Sequence, residues 1–310
     1  MRQPRSATVL VNPAARGIPA LFDGSKVVRY LARFGIEARL VVPASSLQAT
    51  SEAEQSARRA DDLLFVIGGD GSVRDAALGL AGSNTALAAV PSGTVNIWAR
   101  ESGIPTTLRA ALDSHIHGQS VHMDLGRANG QCFLLMAGIG WDAEIARHVP
   151  AWLKRRVGDL AYLTQAAWML PRLRPRHARW VAGGVAVEEP LAWMVLGNTR
   201  LYGGLIHLTP DAANDDGMLD LIALCPRDIF QGARLAGKLS VGRFRTDPRV
   251  IQSRAPEVRI DTPGLAVQLD GDFTGETPMT FSADPGALLV SVPAGPLMPV
   301  FARPHVDRRK

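Results

Sequence analysis

The chain has 310 residues, 46% hydrophobic and 20% charged, with a net charge of +5, a balance that excludes a disordered chain and leaves room for two domains. No run of about 18 apolar residues occurs, so no membrane-crossing helix is expected. The two cysteines, Cys132 and Cys225, exclude a zinc site or a disulfide framework and suit a reducing cytoplasm, while the positive balance favours anionic partners.

In chain order, Thr8–Val11 reads as a strand and Ser25–Phe34 as a helix closed by Gly35. Ala38–Val42 is a second strand, Ser51–Arg59 a helix, Leu63–Ile67 a buried strand, Val73–Leu80 a helix and Ala86–Val90 another strand. This alternation predicts an α/β domain over residues 1–122 with a mostly parallel sheet. From about His122 the texture changes. Val121–Leu125, Gln131–Met136, Trp180–Val187, Ala192–Leu196, Leu219–Leu224, Val258–Ile260, Ala266–Leu269 and Leu288–Val292 read as strands, interrupted by helical stretches at Ala151–Leu170 and Ile229–Val241. Residues 123–310 are therefore expected to form a largely antiparallel β domain whose C-terminal segment is free to return to the first.

The strand Phe65-Val66-Ile67 delivers Gly68-Gly69-Asp70-Gly71-Ser72 to a helix N-terminus. Glycines admit close approach of phosphates, and free amides with the helix dipole favour negative charge. Asp70 is placed to hold Mg²⁺ on such phosphates, and Ser72 to cap the helix and donate to a phosphate. The alternative is a tight turn with nothing bound. The spacing fits neither Walker A nor GxGxxG.

Further motifs follow in order: Val11-Asn12-Pro13, Pro91-Ser92-Gly93-Thr94-Val95-Asn96, His122-Met123-Asp124-Leu125-Gly126, Ala137-Gly138-Ile139-Gly140-Trp141-Asp142-Ala143, Gly197-Asn198, Gly203-Gly204, Pro210-Asp211-Ala212, Asp215-Asp216-Gly217-Met218-Leu219-Asp220 and Asp270-Gly271-Asp272. With the glycine turn, this series resembles the diacylglycerol kinase catalytic-domain family, which includes sphingosine kinases and bacterial lipid kinases. The resemblance covers nearly the whole chain. It departs from the family at Ile97, where aspartate is frequent, at Asp272, where glutamate stands, and at Ser72, where threonine is usual.

The resemblance implies an ATP-dependent lipid kinase. Asn12, Gly68, Gly69, Asp70, Gly71, Ser72, Gly93, Thr94 and Asn96 would bind the nucleotide. Asp70 and Asp124 would serve a catalytic magnesium and Asp272 the proton transfer, with Glu276 as the alternative base. A second, structural magnesium would take Asp216 with the backbone oxygens of Met218 and Ala213. Read without the resemblance, Asp270-Gly271-Asp272 is an ordinary hairpin turn, Asp215-Asp216-Gly217 a solvated turn and Asp124 a strand-end cap. Two competing functions stay open: a NAD kinase-like small-molecule kinase, and a nucleotide- or lipid-binding protein without turnover.

Between Arg147 and Arg179 eight basic residues face one acid, Asp159, with Trp152 and Trp168 among them and Trp180 just beyond. Cations meet anionic headgroups and tryptophan prefers the membrane interface, so Arg147–Trp180 is expected either to dock peripherally on the inner membrane face or to be a solvated basic face. No nucleic-acid-binding pattern is present. Which lipid is accepted, and whether the protein is a homodimer, are open at this level.

Overall fold

The computed structural model describes residues 3–13, 15, 22–93, 95–148, 175–204 and 206–301. Thr94 and the Ala151–Leu170 stretch expected to dock on a membrane lie outside the described residues. The chain divides into two compact units, one running up to Leu125 and resuming at Pro285, the other Gly126–Asp284. The first division falls a few residues past His122, because the strand that begins at Gln119 runs unbroken to Ala128.

In the first unit the order is β1 (Ser6–Val11), α1 (Gly24–Ala32), β2 (Glu37–Val41), α2 (Ser46–Arg58), β3 (Leu63–Gly68), α3 (Asp70–Leu80), β4 (Ala86–Pro91), α4 (Ile97–Glu101), α5 (Leu108–Ile116) and β5 (Gln119–Ala128). Strands β2, β1, β3 and β4 pair in that spatial order, all parallel. β3 and β4 are buried along their whole length, as strands covered on both faces must be, and this explains why they read as continuous apolar runs. Helices start where side chains satisfy orphan amides: Asp23 accepts from the Ser25 N–H before α1, and Ser45 from the Gln48 N–H before α2.

The second unit contains β6 (Gln131–Phe133), β7 (Met136–Gly140), α6 (Trp141–His148), β8 (Arg176–Ala182), β9 (Val185–Leu191), β10 (Trp193–Gly197), β11 (Leu201–Tyr202), β12 (Ile206–His207), β13 (Leu219–Leu224), α7 (Ile229–Ser240), β14 (Val250–Ala255), β15 (Glu257–Ile260), β16 (Ala266–Leu269) and β17 (Asp272–Glu276). β18 (Met279–Val292) begins here and ends in the first unit, where Val290 pairs in parallel with Leu87 of β4. One antiparallel sheet has the order β14-β13-β10-β7-β16-β17. A second layer pairs β15 with β8 and with the first residues of β18, and β8 with β9. Phe133, Trp180, Met194, Leu196, Leu221, Val267 and Phe281 share one buried core. Burying a side chain such as Phe281 contributes on the order of 2–3 kcal/mol.

Five expectations need correction. The helix expected from Ser51 starts five residues earlier, at Ser46, where Ser45 caps it, and the strand expected over Gln131–Met136 is two, β6 and β7, separated by Leu134 and Leu135. The stretch Trp180–Val187 is not one strand but parts of two, β8 and β9, reversed at Gly183-Gly184, where φ is +55° and +83°. The helix expected from Val73 starts three residues earlier, at Asp70, with Gly69 as its N-cap and no side-chain cap, so Ser72 lies inside the first turn and does not cap. Asp124 does not end a strand; it sits within β5.

Candidate functional site

The sheet of the first unit delivers its glycine-rich turns at the C-terminal ends of β3 and β4, where open α/β sheets take ligands. A Cβ at Gly68 would stand 2.6 Å from the Ser72 Cβ, and one at Gly93 would stand 3.0 Å from Asn96 Oδ1 and 3.3 Å from Gly69 Cα. Gly68 is therefore required by the Ser72 side chain folded against it, and Gly93 sits where its turn meets the Gly69 backbone. At Gly71, by contrast, an added Cβ would meet nothing within 4 Å. The result is a backbone-lined cradle that is open on the side of the α3 N-terminus.

The surrounding side chains fix this cradle. Asn12 Nδ2 donates to Ser72 Oγ at 2.8 Å, and its own N–H donates to the Ile67 carbonyl at 3.0 Å. Asn96, in the left-handed region with φ +47°, closes the second turn: its Oδ1 accepts from the Gly93 N–H at 3.0 Å and its Nδ2 donates to the Gly93 carbonyl at 2.6 Å. Asp70 Oδ2 accepts from the Ile97 N–H at 2.9 Å and Oδ1 from the Trp98 N–H at 3.0 Å. The Asp70 carboxylate thus caps α4 as well as standing at the head of α3. The structure brings Asn12, Gly68, Gly69, Asp70, Gly71, Ser72, Gly93 and Asn96 together in one unit. Asp124 is in the same unit, only 1% exposed, and its Oδ1 accepts from the Gly286 N–H at 2.7 Å.

The remaining acids belong to the second unit. Asp270 and Gly271 form the two-residue turn of the β16–β17 hairpin, with φ +49° and +85°, and Leu269 faces Asp272 across it. The hairpin reading and the proposed base are thus the same turn. It is held by two hydrogen-bonded systems, the first half-buried and the second reaching the buried Asp142. The Asp270 carboxylate accepts from three successive N–H groups, Leu134 at 2.7 Å, Leu135 at 2.8 Å and Met136 at 3.0 Å. Gln268 Oε1 accepts from the Gly271 N–H at 2.5 Å, while its Nε2 donates to Asp142 Oδ2 at 3.1 Å. Tyr202 Oη adds a donor to that Asp142 oxygen at 3.2 Å.

Burial pushes the Asp142 carboxyl up to about 6, against the lowering effect of its hydrogen bond from Gln268. Sequence reasoning named Asp142 and Asp270 only as members of motifs and missed Gln268. An Asp-Gly pair after an apolar strand was the available signal for the turn, but nothing in the chain's local pattern marks Gln268 as its anchor. The alternative base Glu276 accepts from Arg147 Nη2 at 2.6 Å, and that guanidinium also lies 4.6 Å from the Phe273 ring centre.

At the Asp215-Asp216-Gly217 turn, Asp216 Oδ1 accepts from the Met218 N–H at 2.9 Å. Its other oxygen pairs with the Arg254 guanidinium, which also donates through Nε to Asp220 Oδ2 at 3.2 Å. A cation already balances Asp216, so the turn as it stands does not fit a divalent ion without displacing Arg254. The neighbouring Asn214 amide is fully buried, and neither its oxygen nor its nitrogen has a partner among the described residues. Among the described residues no three His, Cys, Asp or Glu side chains converge as a metal-binding group.

A model of the diacylglycerol kinase catalytic domain matches residues 6–128, and one described as the YegS C-terminal NAD kinase beta sandwich-like domain matches residues 136–292. The chain belongs to the diacylglycerol kinase catalytic-domain family. It is similar to a diacylglycerol kinase of Bacillus subtilis (strain 168), 31% identical over 281 residues that make up 89% of this chain and 93% of the relative. A diacylglycerol kinase of Staphylococcus aureus (strain Newman) is 30% identical over 236 residues, 75% of each chain. A crystal structure of a diacylglycerol kinase from Bacillus anthracis str. Sterne superposes with a TM-score of 0.74 at 22% identity, covering 95% of this chain and 99% of that one, a likeness of fold. The α/β unit and the antiparallel β unit are thus those of a kinase family. No helix among the described residues is long and apolar enough to cross a membrane.

Proposed function

We propose that the chain transfers the γ-phosphate of ATP to the hydroxyl of a lipid such as diacylglycerol, phosphatidylglycerol or a sphingoid base. The observation that carries this reading is the glycine cradle: Gly69 and Gly93 approach each other with no side chain between them, next to the amides that open α3. Family membership and the names of the relatives support it. Gly68, Gly69, Gly71 and Gly93 would admit phosphate oxygens, Asn12 and Ser72 would hold one wall, and Asn96 would keep the Gly93 turn closed; Thr94 would join them. Asp70 and Asp124 would hold the catalytic magnesium, which when bound offsets the negative charge of the phosphates. A structural magnesium on Asp216 with the carbonyl oxygens of Ala213 and Met218 would have to compete with Arg254 for that carboxylate.

Asp272 is the proposed general base. It stands on a turn that Asp270 and Gln268 hold rigidly, and a base must be held within about 3 Å of the hydroxyl proton it accepts. Glu276 is the weaker candidate because its carboxylate is paired with Arg147.

The test is transfer of labelled γ-phosphate into a total lipid extract, with NAD supplied in parallel. A labelled lipid supports the reading, and phosphorylated NAD as the sole product ends it. Nucleotide binding with no labelled product would instead favour a binding protein. Asp272→Asn should abolish turnover and leave ATP binding nearly intact; full activity in that variant would place the base elsewhere.

A further inference from the structure

We propose that α7 of the second unit is an interfacial helix that docks on the surface of an anionic phospholipid bilayer. The inner face of α7 is accounted for: Gly232, Leu235, Ala236 and Leu239 line a small apolar cavity of about 40 Å³ with Trp141 and Trp193. The outer face is not. Phe230, Ala233, Gly237 and Val241 recur at helical spacing and are all exposed, with the Arg234 guanidinium among them. Phe230 is 84% exposed, Val241 66% and Ile229 47%. Of the ten exposed large hydrophobics among the described residues, these three fall on one helix and its cap, which singles out this patch from scattered surface apolar residues.

Charge decides what would cover the patch. Between Pro226 and Thr246 there are five cations, Arg227, Arg234, Lys238, Arg243 and Arg245, and one acid, Asp228. Asp228 is spent on capping the helix, accepting from the Gln231 N–H at 2.8 Å. Arg234 and Lys238 each lie 2.7 Å from Asp247, and Arg245 pairs with Asp211. Arg227 and Arg243 flank the two ends of the helix, are exposed, and form no ion pair among the described residues. Exposed Phe230, Ile229 and Val241 bracketed by two exposed arginines match a layer of acyl chains beneath anionic headgroups. A second copy of this chain would bring the same arginines against each other and is disfavoured.

This inference deepens the lipid-kinase reading by naming where the protein meets the lipid surface, and its test is independent of turnover. Phosphatidylserine–phosphatidylcholine vesicles, containing no candidate acceptor and no nucleotide, are sedimented with the full chain. The wild type should partition onto them more strongly than onto phosphatidylcholine alone. Phe230→Ser with Val241→Ser should lower the partition coefficient about tenfold or more, and Arg227→Glu with Arg243→Glu should remove the preference for phosphatidylserine. Circular dichroism checks that the variants are folded, which the exposure of all four side chains leads one to expect. Undiminished binding by the folded serine variant, or no binding by the wild type, would overturn the proposal. So would a wild-type dimer that the serine variant converts to monomer, since the stripe would then be covered by a second copy. A protein that phosphorylates no lipid yet loses vesicle binding in these variants would refute the kinase reading and leave the docking surface standing.

Discussion

Asp142→Asn should stabilise the protein at neutral pH, although it deletes a charge from a hydrogen-bonded network. The wild-type carboxyl is raised by burial from its ordinary 3.8 to about 6. A carboxyl raised in the folded state contributes fully below the unfolded pKa, and its contribution is lost as pH rises through the folded one. The window is thus about pH 4 to 6. At 1.36 kcal/mol per pH unit, the difference of about 2 units costs the wild type roughly 3 kcal/mol above pH 6. Asparagine keeps the shape, and its carbonyl oxygen can still accept from Gln268 Nε2 and Tyr202 Oη, but its NH2 would face the Trp193 and Ala143 N–H groups, so the variant should recover about 1–2 kcal/mol. Urea unfolding followed by tryptophan fluorescence, at pH 4.5 and 7.5, gives the comparison. The difference between variant and wild type must grow with pH across that window. A constant difference, or a variant less stable at pH 7.5 than at pH 4.5 by the wild-type amount, would refute the burial argument. A stabilised variant with lower turnover would show that the charge is kept to hold the Gln268–Gly271 contact beneath Asp272.

Four other outcomes follow from the same contacts. His115 is buried, bridging the Ala89 carbonyl at 2.8 Å and Ser291 Oγ at 3.0 Å, and burial lowers its pKa to about 4. Its contribution is therefore complete above pH 6.5 and lost as pH falls toward 4, about 3 kcal/mol in all, and His115→Gln should flatten that limb of the wild-type stability curve. Asp270→Ala should cost roughly 3–5 kcal/mol in urea unfolding by leaving three N–H donors without their carboxylate, and should depress turnover with it. Chelation with EDTA should leave the thermal midpoint of the wild type unchanged, because Arg254 already balances Asp216. Arg254→Met should make the midpoint rise on addition of magnesium, and an EDTA-sensitive wild type would contradict this.

The parallel unit was legible because β1, β3 and β4 are short buried apolar runs and α1 carries its own start signal at Asp23. The tight turn at Gly68–Ser72 was legible because a side chain at Gly68 would collide with Ser72 in the same turn. The hairpin at Gly183-Gly184 was missed because the residues on either side, Val181, Ala182, Val185 and Ala186, continue the same apolar texture through the reversal. The helices α4 and α5 were missed for want of a start signal: neither has a side-chain cap, and α4 is instead anchored by Asp70 from 27 residues away. Gln268 illustrates the general limit. A glutamine on an apolar strand carries no local mark of function, and its importance comes from two partners, Asp142 and Gly271, one of them 126 residues distant in the chain.

The return of the polypeptide to its first unit at Pro285 sets the order in which that unit is completed. A nascent chain released at Leu125 carries β1 to β4 but not the strand that pairs beside Leu87, so one flank of the entirely buried β4 has no hydrogen-bonding neighbour. The glycine cradle therefore rests on a scaffold that stays open until Val290 has been made. A stop codon anywhere before about Val290 would expose an apolar edge suited to pairing with other chains, so C-terminal truncation should produce aggregates and not a smaller working kinase.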